Sequence, residues 1–151
     1  MRRWSRWAGS DDGSAALEFI TVGVILLVPL VYLVLALGEV QGQTLGVEAA
    51  ARHTARVIGQ AQDADAAAAR SDAVLANVID EYGLDPDSVE VSVSCSTAAG
   101  ECPAPGATVI VTVSARVTLP FVPQILGLDA VASIPVEAQA AQKISRLWGA
   151  G

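Results

Sequence analysis

The chain is poor in most of the residues from which active centres are built. It has one histidine, His53, and two cysteines, Cys95 and Cys102, so a four-ligand zinc set cannot be assembled from the usual donors. The two cysteines do not have the Cys-x-x-Cys spacing that redox chemistry prefers. No serine occupies a nucleophile-elbow setting and no glycine-rich phosphate loop is present. The adjacent acids Asp11-Asp12 and Asp80-Glu81 read as the flank of an N-terminal leader and the end of a helix. These absences argue against an enzyme: no catalytic residue, no metal, no cofactor and no small-molecule substrate is expected. Positive charge is scarce too, with 9 Lys+Arg against 16 Asp+Glu and a net charge of −7. That balance speaks against nucleic acid or anionic surfaces as partners, since both call for basic patches.

What the chain has in abundance is aliphatic sequence, concentrated in an apolar run from Phe19 to Gly38 that only Thr21 interrupts with a polar side chain. At ~1.5 Å per helical residue such a run reaches about 30 Å, the thickness of a bilayer's hydrocarbon core. A single membrane span over residues 14–38 is therefore expected, with membrane lipid as its surroundings. Arg2, Arg3 and Arg6 precede the run, while the first Lys or Arg after it is Arg52. The positive-inside rule then places the N-terminus in the cytoplasm and residues 39–151 outside. The run is longer than a cleavable secretory signal, and Ala36-Leu37-Gly38 is a weak cleavage site for one. Pro29 should loosen the helix near mid-membrane, although Pro and Gly are also ordinary in membrane helices.

Glu18 stands at the mouth of this run, where an ionised side chain is costly and tends to find a partner. On physical grounds alone two roles are open. One is an interfacial carboxylate capping the helix N-terminus, where the macrodipole favours it by ~0.3–1 kcal/mol. The other is one half of a charge pair between neighbouring helices, fixing their axial register.

Gly13, then four residues, then Glu18-Phe19 and an apolar helix resembles the processing site of type IV prepilins, whose peptidase cuts directly after the glycine. The short leader, the Glu-Phe pair, the small size and the single span are most similar to the TadE-type pseudopilins of tight-adherence (Flp) pilus systems. Two further stretches carry the resemblance: Glu48-Ala49-Ala50-Ala51-Arg52-His53-Thr54-Ala55-Arg56 after the span, and Val117-Thr118-Leu119-Pro120-Phe121-Val122-Pro123 with Ile125-Leu126-Gly127-Leu128 late in the chain. The resemblance implies a cytoplasmic leader over residues 1–13, cleavage between Gly13 and Ser14, and an assembly role for Glu18 and Phe19. It also implies a minor subunit of a tight-adherence pilus or related secretion system. The implied partners are a prepilin peptidase, other pilin or pseudopilin subunits and the Tad-type assembly platform. The implied location is the cell membrane, with the surface pilus as a further destination. The alternative function is an uncleaved membrane-anchored binding or adhesion module. Loss of the leader would take the net charge from −7 to −8.

The part outside the membrane is expected to be a small α+β domain. Residues from Glu39 to about Ile58 suggest that the span continues as a water-exposed helix, rich in Ala and Arg, with Gly59 as a stop. A second helix should follow Asp63 as its cap, with Val74, Leu75, Val78, Ile79 and Tyr82 on one face and Gly83 at its end. The period then changes to two: Val89, Val91, Val93 and Cys95 in one strand, Val109 to Leu119 in the next, and a third from about Ala132 to Ala140 with Pro135 marking an edge. These give a three-stranded antiparallel sheet packed on the second helix. Cys95 and Cys102, both outside the membrane in this topology, should form a disulfide across the first turn. The tail Lys143-Ile144-Ser145-Arg146-Leu147-Trp148 reads as either a short amphipathic segment or a frayed end.

Overall fold

The computed structural model describes residues 12–96, 102–120 and 133–148, with side chains from Ala15 onward. Its elements run α1 (Asp12–Gln60), α2 (Ala64–Tyr82), a 3-10 turn (Pro86–Ser88), β1 (Glu90–Cys95), β2 (Thr108–Thr118) and β3 (Ser133–Lys143). The fold is α+β: one long apolar N-terminal helix, a second helix and a three-stranded antiparallel sheet in the order β1-β2-β3. The chain divides into two compact units, Met1–Ala36 and Leu37–Gly151.

The first unit consists, among the described residues, of the first part of α1. From Leu17 onward its large side chains are exposed, Phe19 to 80%. This is the one helix among the described residues long and apolar enough to cross a membrane. The helix passes through Pro29 without a break, so the expected loosening there does not interrupt it.

In the second unit the remainder of α1, α2 and one face of the sheet share a single core. Val47, Ala50, Ala51, Thr54, Ala55 and Ile58 form the buried stripe of α1, recurring at the three- and four-residue spacing of one helix face. The expectation of a water-exposed helix here is corrected: only the opposite side, with Arg52, His53 and Arg56, faces water. Alanine permits close packing. A Cβ on Gly46 would lie 2.7 Å from the Tyr82 Cβ, so the backbones of α1 and α2 come near each other at that point. Gly59 lies within α1 rather than ending it, and a Cβ there would meet the Gln142 side chain at 2.6 Å.

The caps of α2 follow local chemistry. Asp63 Oδ1 accepts the Ala66 N–H at 2.7 Å, while Gly83 adopts the left-handed conformation at φ 62° and the next N–H, of Leu84, donates to the Ile79 carbonyl at 3.0 Å. Val78 is buried, and Val74, Leu75, Ile79 and Tyr82 pack partly buried around it.

β2 is the central strand. Val109, Val111, Val113 and Val117 are fully buried and Ala115 nearly so, while the alternate residues are partly or fully open to water. Burying each valine contributes of order 1.5–3 kcal/mol. Pairing places Val91 opposite Val113 and Val93 opposite Val111 on one side, and Ala140 opposite Val111 and Val136 opposite Ala115 on the other. β3 begins with Ser133 and runs to Lys143, three residues beyond its expected end, and the pairing continues as Ile144 N–H donates to the Ala107 carbonyl at 2.9 Å. Ile144 is buried and Trp148 packs against the core, so this tail is docked rather than frayed.

Candidate functional site

The first candidate site is the N-terminal end of α1. Gly13 and Ser14 fall in its first turn. Glu18 and Phe19 follow one turn after Ser14, both exposed. Glu18 is the only charged residue between Ala15 and Gly38. The next polar group, Thr21 Oγ1, donates to the Leu17 carbonyl at 2.7 Å and is satisfied within the helix. Glu18 has no such partner: no hydrogen bond or ion pair reaches its carboxylate among the described residues. Chemically, the described side chains at this end of the helix, from Ala15 to Gly38, present one carboxylate beside an uncovered apolar band. The leader before Asp12 lies outside the described residues, as does the corner from Phe121 to Gly127.

Cys95 and Cys102 are bonded, with Cα atoms 5.7 Å apart. The bond ties the last residue of β1 to the segment that leads into β2, where Pro103 follows Cys102 through a cis peptide. The turn residues 97–101 lie outside the described residues. Gly106, at φ 75°, completes the approach to β2, and its N–H donates to the Ser145 carbonyl at 3.2 Å.

A second feature escaped the sequence. A groove of about 290 Å³ lies between α2 and β1, with Thr54 and Ile58 of α1, Ala67 and Leu75 of α2, and Val91 and Val93 of β1 among its walls. Cys102 and Pro103 also line it, and Asp72 is its only charged lining residue among the described residues. Val91 and Val93 belong to the inner face of the sheet yet stay 38% and 43% exposed, because α2 leaves them partly uncovered. Thr54 is 2% exposed, and its Oγ1 has no hydrogen-bond partner among the described residues. The sequence signal for such a groove is faint: helix residues far from β1 in sequence must meet it, and only the fold brings them together.

Among the described residues no group of three or more His, Cys, Asp or Glu side chains is placed to hold a metal ion. Compared with family models, curated proteins and solved structures, the chain matches none.

Proposed function

We propose that this chain is a membrane-anchored, pilin-like subunit of the TadE type, cut after Gly13 by a prepilin peptidase and assembled with other pilin-like subunits through its apolar helix. The observation that carries the reading is Glu18, the one charged side chain in the apolar, uncovered stretch between Ala15 and Gly38. Such a band needs a cover, supplied by lipid before assembly and by neighbouring helices after it. Cleavage frees an α-amino group at Ser14 with an ordinary pKa near 8 and so mostly charged at neutral pH. A carboxylate and an ammonium on adjacent helices then pair at matching depth and set the register, since either one left alone in low dielectric is penalised. In this topology Arg2, Arg3 and Arg6 hold the leader in the cytoplasm and the α+β domain lies outside.

Intact mass of the membrane-extracted protein tests the processing step. The wild type should begin at Ser14 when the peptidase is present, and Gly13→Leu should retain its leader; a normally shortened Gly13→Leu product removes the prepilin reading. Glu18 tests the assembly step. Glu18→Ala should insert and be cleaved yet fail to co-purify with its pilus machinery, with Glu18→Asp intermediate because its shorter side chain keeps the charge and loses reach. A capping role predicts instead that Asp serves as well as Glu.

The second reading, an uncleaved anchored binding module, draws on the open groove beside β1. An intact Met1 on the membrane-bound protein selects it.

A further inference from the structure

We infer that the outer edge of β1, together with the groove beneath α2, is a docking site for an extended segment of a partner protein that adds to the sheet as a fourth strand. The inference concerns the domain alone and does not depend on processing at Gly13.

The two edges of the sheet differ in their chemistry. Ser96 N–H donates to the Thr108 carbonyl at 2.9 Å, which makes that pair a hydrogen-bonded one. In an antiparallel ladder such pairs alternate, so Ser94, Ser92 and Glu90 also turn their main-chain groups toward β2, while Val93 and Val91 turn theirs outward. No other main-chain hydrogen bond among the described residues engages Val91 or Val93. The same count from the bond between Ile144 and Ala107 turns residue 135 outward on the opposite edge. There the sequence provides Pro135, which has no N–H to offer, and Lys143 at the strand end. Proline and lysine are the usual guards against strand addition. β1 carries neither. Among the described residues no strand pairs with its outer edge, and the inner face beside it is half uncovered.

The groove supplies what an added strand needs beyond main-chain bonds. Alternate side chains of a segment lying against β1 would enter below α2, next to Val91 and Val93, and the volume of about 290 Å³ suits aliphatic side chains. Buried Thr54, whose Oγ1 has no partner among the described residues, belongs to the same wall. Charge states the occupant further. Asp72 lines the groove and forms no ion pair among the described residues. An extended segment with apolar side chains at every second position and a Lys or Arg on the same face is the complementary partner.

The test uses the full chain in detergent micelles and a fluorescein-labelled, acetylated peptide of sequence Lys-Thr-Val-Thr-Val-Thr-Lys, whose valines and lysines share one face. Saturable binding is expected, with slowed hydrogen exchange at the Val91 and Val93 amides. Val93→Pro removes an outward N–H and leaves the β1–β2 ladder intact, and Val93→Lys installs a guard without touching the main chain. Each should weaken binding by roughly tenfold or more, and the aspartate-for-lysine peptide should bind as poorly. Asp72→Asn should weaken it a few-fold and flatten its salt dependence. Absence of saturable binding up to about 1 mM peptide, or equal binding to wild type and Val93→Lys, overturns the proposal.

Discussion

The two parts of α1 invert the usual relation between hydrophobicity and burial. Its first part is built from Leu, Val, Ile and Phe, and these large side chains stand exposed; in its second part the face that enters a core is richest in Ala, with Val47, Thr54 and Ile58. Size decides the matter. Alanine and glycine let a helix approach α2 and the sheet closely, whereas large aliphatic side chains with no protein over them need another apolar medium. Being apolar and being inside are separate properties, linked only through what is available as a cover.

The sharpest way to break this comparison is to place the same insult in both parts. Ala50→Asp buries a carboxylate without a partner and should destabilise the domain by roughly 3–5 kcal/mol, read by urea unfolding of the detergent-solubilised chain. Val28→Asp should leave that unfolding curve unchanged and instead disfavour membrane insertion by about 2.5–3.5 kcal/mol, read by fractionation. If Ala50→Asp unfolds like wild type, the second part of α1 is not in the core.

Reduction of the disulfide comes next. Both thiols should resist alkylation until reductant is added, and Cys95→Ser with Cys102→Ser should lower stability by about 2–3 kcal/mol. Two glycines one turn apart then sharpen the contrast along α1 itself. Gly42 has nothing within 4 Å of an added Cβ, so Gly42→Ala should stabilise by up to ~1 kcal/mol. Gly46→Ala gains the same propensity but drives its methyl into Tyr82, an overpacking of roughly 1–3 kcal/mol that should leave it the less stable of the two. The smallest effect is at the cap: Asp63→Ala should cost α2 about 1 kcal/mol, seen as a shift in the same unfolding midpoint.

The strands and α2 were legible because their signals are local. Alternating valines, a capping aspartate and a left-handed glycine act over a few residues, and Pro135 marked its edge by chemistry alone. The core stripe of α1 was not legible. Ala50, Ala51, Thr54 and Ala55 are weak in hydropathy, and Arg52 and Arg56 among them suggested water on all sides. Only the packing partners, α2 and β2, tell one face from the other. The groove was hidden for the same reason, since Thr54, Asp72 and Val93 meet through three separate elements. At the N-terminal end the position of Glu18 at the mouth of the apolar run was plain from sequence.

The sharing of one helix between span and core also fixes where the domain can be shed. A protease that severs the chain close to Leu37 leaves Val47, Ala50, Thr54, Ala55 and Ile58 attached to the second unit, with its core complete. A cut only a few turns later, within the buried stripe, removes core residues and should unfold the unit. A cut that spares the core and one that breaks it are thus separated by about 15 Å of helix.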